Sequence, residues 1–252
     1  MRSAERPFVF YPAPYPQGNW QPAKLDFEDA HFQSADGTRL HGWFVPCEHP
    51  RAVILLAHGN AGNVTHRADL LRELHDRLHT SVFCFDYRGY GKSDGTPDEP
   101  GVLADARAAR KWLATSAGIP ECEIVLMGES LGGGVAVDLA AADGARGLIL
   151  KSTFSSIRDV AAADFPYSPV RPLVQIHFDS AAKIPNYHGP LLQFHGDNDH
   201  VIPLASARRL YAAANEPKHF VLIHGGDHND PPKAEFYAAI DEFLRTLDRP
   251  RK

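Results

Sequence analysis

A mostly parallel, doubly wound α/β sheet is the architecture expected of this chain, and three features point to it. Six short apolar runs, at 52–57, 81–85, 123–127, 147–150, 190–194 and 219–223, are β-rich without alternating, as strands buried on both faces should be. Helical patterns separate them at 65–78, 100–115, 131–142 and 206–214, and a last one runs over 232–247. With 252 residues, 44% of them apolar and 23% charged, the chain can bury a sizeable core as one large domain over 1–252. Strand alternating with helix then implies a sheet of about eight strands, once an N-terminal hairpin is counted.

The elements follow in order. Residues 7–22, PFVFYPAPYPQGNWQP, are too rich in proline for a helix and read as an extended lead-in on the domain surface, the lead-in as a whole taking up 1–29. The stretch 30–45 alternates loosely about the turn dipeptide Asp36-Gly37 and reads as an antiparallel hairpin. From residue 52 the strand–helix rhythm takes over. It breaks between Phe154 and Gly189, where prolines and aromatics leave only a weak helical segment at 156–163, and 154–189 is expected to form a small lid insertion. No internal repeat is visible.

Composition excludes several classes of function. Lys+Arg 26 against Asp+Glu 31 gives a formal charge of -5, so no global field draws the molecule to nucleic acid or anionic lipid. The three cysteines, Cys47, Cys84 and Cys122, have neither disulfide-framework nor zinc-knuckle spacing, and a reducing, cytoplasmic setting is expected. No apolar run approaches the ~20 residues of a transmembrane span, and no signal core follows Met1. His75 and His79 lie four apart on an expected helix, but no third ligand at diagnostic spacing joins them, and neither a metal nor any other cofactor is expected.

In an open parallel sheet, ligands bind beyond the carboxyl ends of the strands. There the third apolar run enters Gly128-Glu129-Ser130-Leu131-Gly132, a GxSxG elbow followed directly by a helix. Such a turn exposes the Ser130 hydroxyl, and the first helical N–H, on Leu131, is placed to donate to an oxyanion on an acyl group attacked by that serine. A serine needs an imidazole base and a group that holds the imidazole's tautomer. Two later strand ends, HGDNDHVIP at 195–203 and HGGDHND at 224–230, supply acid and base in the chain order Ser, Asp, His. Asp199 and His228 are the candidates; Asp197 competes for the acid, and His224 for the base. A second oxyanion donor is expected from HGNAGN at 58–63, with the Asn60 N–H the first choice and Ala61 the alternative. The loop DYRGYGKS at 86–93 lacks phosphate-cradle spacing and reads as architectural. Cys84, inside a buried strand, reads as packing.

Together HGNAGN, DYRGYGKSDGTP at 86–97, GESLGGG at 128–134, FDSAAKI at 178–184, HGDNDHVIP and GGDH at 225–228 resemble the α/β-hydrolase superfamily, closest to its Bem46 and ABHD13/ABHD17-like branch. The resemblance spans nearly the whole chain. It implies the α/β-hydrolase fold, Ser130 as nucleophile, Asp199 as acid and His228 as base, with esterase or thioesterase chemistry on a small-molecule acyl substrate. Serine aminopeptidase-like relatives share this triad, and a non-catalytic binding protein on the same scaffold is the reading outside enzymes. Phe165, Tyr167, Val170, Leu173 and Phe178 in the expected lid, with Val201, are candidates for a shallow apolar acyl pocket favouring short to medium chains.

Overall fold

The computed structural model describes residues 9–164 and 176–247. Ten strands run through them: β1 Tyr11–Pro12, β2 Glu28–Gln33, β3 Arg39–Val45, β4 Ala52–Ala57, β5 Ala61–Gly62, β6 Thr80–Asp86, β7 Val125–Glu129, β8 Gly147–Lys151, β9 Leu191–Gly196 and β10 Lys218–Ile223. The helices are α1 Ala68–Leu78, α2 Glu99–Ala117, α3 Leu131–Asp143, α4 Ile157–Asp164, α5 Ser180–Lys183, α6 Leu204–Ala213 and α7 Ala234–Leu247. Eight strands form one sheet in the order β10-β9-β8-β7-β4-β6-β3-β2. The six from β10 to β6 are mutually parallel, and β3 runs antiparallel to both β6 and β2. The expected hairpin therefore extends the main sheet at its edge.

Side-chain alternation explains why the central runs are uniformly apolar. On β4, Val53, Leu55 and Ala57 join one core layer while Ala52, Ile54 and Leu56 join the other. The first layer is closed by α2 and α3 through Val102, Ala106, Leu113 and Val135. The second is closed by α1 and α7 through Leu71, Leu74, Phe236 and Ile240. A strand covered on both faces cannot afford a polar side. Helix ends follow local chemistry as well: Asp98 caps α2 by accepting from the Gly101 N–H, and Gly118 closes it in the left-handed region at φ 66°.

Two features differ from expectation. The lead-in is partly a strand: β1 pairs in parallel with β5, putting Tyr11 opposite Ala61 and Pro12 opposite Gly62. The interval 154–189 is also not peripheral throughout. Phe178 and Ile184 are buried, Glu99 accepts from the backbone N–H groups of His177 and Phe178, and the Lys183 ammonium lies 2.7 Å from Asp138 on α3. The downstream part of that interval is thus fastened to the body of the domain.

Candidate active site

The carboxyl ends of β4, β7, β9 and β10 converge on Ser130. At the end of β7 the chain turns into α3 through Ser130 at φ 53° and ψ −117°, a conformation that costs a non-glycine residue of order 1–3 kcal/mol. The turn is held by the Ser130 N–H donating to the Lys151 carbonyl at 3.0 Å, and by the Thr153 hydroxyl donating to the Ser130 carbonyl at 2.8 Å. Glycine at 132 is a steric requirement, because a Cβ there would lie 1.9 Å from the Ala57 carbonyl oxygen. The Leu131 N–H, first of α3, meets no acceptor among the described residues.

Ser130, His228 and Asp199 form one hydrogen-bonded chain. Nε2 of His228 is 3.1 Å from Ser130 Oγ, and Nδ1 is 2.9 Å from Asp199 Oδ2. With Nδ1–H donating to the carboxylate, Nε2 is left to accept the serine O–H. The other Asp199 oxygen accepts from the N–H groups of Val201 at 2.9 Å and Ile202 at 2.7 Å, and the side chain is fully enclosed. Burial alone would raise the Asp199 pKa, but the bonds from His228 and Ile202 outweigh it and hold the carboxyl below its ordinary range. His195 also approaches Asp199 Oδ2, at 3.5 Å, and burial pushes its imidazole below the usual value. Asp197, the other aspartate of this strand end, is occupied elsewhere: it bonds His224 Nδ1 at 3.0 Å and accepts from the Gly225 N–H at 2.6 Å.

The loop after β4 is braced from three directions. His58 Nδ1 lies 2.7 Å from the Gly59 carbonyl, so the trans peptide directs the Asn60 N–H away from the imidazole. The Asn60 carbonyl accepts from the Tyr11 N–H at 2.9 Å and the Tyr90 hydroxyl at 2.7 Å, and Tyr87 O–H donates to the His58 carbonyl at 2.8 Å. The loop at 86–93 thus serves as a brace, and the lead-in joins it through the Asn63 amide, which donates to the carbonyls of Ala13 and Gln17. Behind His58 sits Asp86, wholly buried, 3.6 Å from His58 Nε2, with His41 Nδ1 3.7 Å from its other oxygen. A Cβ on Gly59 would sit 3.5 Å from Ser130 Cβ, which places this loop against the serine.

Sequence reasoning passed over a charged cluster at the same place. Lys151, at the end of β8, places its ammonium 2.7 Å from Glu129, the residue before Ser130, and Arg67 Nε is 3.7 Å from the same carboxylate. Burial would raise the Glu129 pKa, yet Lys151 and Arg67 bring it below the ordinary value. A lysine terminating an otherwise apolar run was the available signal. Of the pocket candidates, Phe178 is packed in the core beside Gly134 of α3, and Val201 is 46% exposed. Phe165, Tyr167, Val170 and Leu173 lie outside the described residues. Cys84 is fully buried within β6. His75 bonds Asp76 and the Pro46 carbonyl.

Known proteins share this arrangement of chain. A family model described as serine aminopeptidase, S33 matches residues 48–176, and one described as serine hydrolase (FSH1) matches residues 128–240. The α/β hydrolase domain-containing protein WAV2 of Arabidopsis thaliana is 36% identical over 236 residues, covering 83% of this chain and 75% of that protein. The protein bem46 of Schizosaccharomyces pombe is 30% identical over 258 residues, covering 95% of this chain and 86% of that protein. Among solved structures, the Pyrococcus furiosus esterase Pf2001 superposes with a TM-score of 0.76 at 20% identity, over 95% of this chain and 98% of that one, a likeness of fold. No helix among the described residues is long and apolar enough to cross a membrane.

Proposed function

Because the chain belongs to the Bem46-like branch of the α/β-hydrolase superfamily, we propose that it is a serine hydrolase cleaving carboxylic ester or thioester bonds of small to medium acyl substrates. The observation that carries this reading is the chain of hydrogen bonds from Ser130 through His228 to Asp199. His228 Nε2 takes the Ser130 proton as the oxygen attacks the acyl carbonyl. The N–H groups of Leu131 and Asn60 receive the negative charge on the carbonyl oxygen, and loss of one such donor costs about 3 kcal/mol. His228 then returns the proton to the leaving group. Water, deprotonated by the same imidazole, attacks the acyl-enzyme, and His228 hands that proton to Ser130 Oγ as the bond to the acyl group breaks and the acid is released. Asp199 orients the ring and stabilises its cation throughout without taking the proton.

The match to the serine aminopeptidase model gives a second reading, hydrolysis of a peptide or aminoacyl amide by the same three residues. 4-Nitrophenyl esters and aminoacyl 4-nitroanilides assayed side by side on one preparation separate the two. Turnover of the esters with none of the anilides is the expected result, and the reverse preference would replace the esterase reading by the peptidase one.

A further inference from the structure

Arg67 stands beside the serine with its charge poorly answered. Its Nε is buried and has no hydrogen-bond partner. Its other nitrogens reach the carbonyls of His66 and Ala61 only at 3.5 Å and 3.4 Å, and its nearest carboxylate, Glu129, is 3.7 Å away and already bound by Lys151 at 2.7 Å. Two cations thus share one anion, leaving surplus positive charge at the carboxyl end of β7. Arg88 shows how this protein satisfies a structural arginine: it holds Asp105 at 2.7 to 3.1 Å, Asp36 at 2.8 Å and the Ser34 hydroxyl at 3.2 Å. Arg67 has nothing comparable, although its side chain keeps 19% exposure.

Its position is close to the reaction centre. A methyl group on Gly59 would lie 3.5 Å from Ser130 Cβ and 3.7 Å from Arg67 Nη2, so serine and guanidinium flank one point on the loop that also carries Asn60. An anion held by Arg67 therefore falls a few atoms from an acyl carbon on Ser130. Nε is sealed beside Glu129, so it is the Nη end, held only by carbonyls at 3.4 and 3.5 Å, that is left to a ligand. A planar guanidinium presents paired, charge-assisted hydrogen bonds to a carboxylate that a neutral chain could not accept.

We propose that Arg67 recognises a carboxylate on the acyl part of the substrate, so that the preferred esters are hemiesters or hemithioesters of dicarboxylic acids. The acyl part is the one assigned because it stays on Ser130 through both halves of the reaction, so contact with Arg67 acts on both. This rests on the serine-hydrolase reading for turnover, but the recognition itself does not require turnover.

The test compares 4-nitrophenyl hydrogen adipate with 4-nitrophenyl hexanoate, equal in chain length and different in charge. In the wild-type protein the adipate should have the higher kcat/KM, and the adipate-to-hexanoate ratio should fall by about tenfold or more in Arg67→Gln, with part of it kept in Arg67→Lys. Ser130→Ala separates recognition from hydrolysis: calorimetry should show it binding monomethyl adipate about tenfold or more tightly than methyl hexanoate, and adding Arg67→Gln should abolish the difference. An equal fall in kcat/KM for both esters, or equal binding of both methyl esters to Ser130→Ala, overturns the proposal and leaves Arg67 a brace of the Ala61 carbonyl. A wild-type protein that binds the dicarboxylate selectively but cleaves neither ester would sink the esterase reading while upholding the recognition.

Discussion

Asp199 and His228, 29 residues apart in the chain, meet at 2.9 Å, while Asp197, two residues before Asp199, faces His224 at 3.0 Å on the exposed rim. Two aspartates at the end of one strand are thus sorted to different imidazoles, and only one of these imidazoles reaches Ser130.

That sorting sets the first prediction. Asp199→Asn should lower kcat by roughly 10⁴, because the amide no longer holds the imidazole in the tautomer that accepts from Ser130. Asp197→Asn should leave kcat within a few-fold of wild type, since it touches only the rim. Steady-state ester hydrolysis by the two variants checks this, and the reverse ranking would move the acid to Asp197.

The second prediction concerns His58. The ring is wholly buried and ties down the Gly59 carbonyl, which aims the Asn60 N–H. His58→Phe should keep the packing, release that peptide and reduce kcat by about 10², with KM changed much less, as expected when a transition-state donor is misaimed. His58→Asn, which keeps a donor, should recover part of the loss. A lower melting temperature with kcat unchanged would make His58 a packing residue only.

Acid stability gives the third. Burial would raise the Asp86 pKa, but the flanking His41 and His58 and the Val64 N–H outweigh it and depress the carboxyl below its ordinary value. A carboxylate depressed in the folded state stabilises the fold fully above its unfolded pKa of ~3.9, and that contribution disappears as pH falls through the folded value. Stability of the wild type should therefore decline as pH drops below about 4, and Asp86→Asn, less stable at neutral pH, should show a shallower decline. Urea midpoints from pH 7 down to 3 measure both; parallel curves would mean that Asp86 is not a linked group.

The legible parts of the molecule were those that local pattern dictates. Five of the six parallel strands, β4, β6, β7, β8 and β9, announced themselves because they are buried on both faces, whereas β10 at the sheet edge is only partly covered. The elbow did so because Gly128 lies at the end of a strand and Gly132 at the start of a helix, with Ser130 between them. Asp199 and His228 were reachable from chain order at strand ends. What escaped were contacts between segments distant in sequence. A two-residue strand such as Tyr11–Pro12 has no periodicity, and its partner is another two-residue piece. Lys151 and Arg67 carry no motif, and their importance comes from where β8 and the turn before α1 arrive relative to Glu129. Phe178 looked like a pocket wall from composition, yet the fastening of 176–184 to α2 and α3 turns its ring into the core.

The most direct measurement of the central claim is covalent labelling by a fluorophosphonate, read by peptide mass spectrometry on folded protein. A nucleophile activated by His228 should give a single adduct on the peptide holding Ser130, absent in Ser130→Ala and slowed by orders of magnitude in His228→Ala. No adduct on the folded wild-type protein, or an adduct on another residue, would contradict the assignment of Ser130, His228 and Asp199 as a working triad.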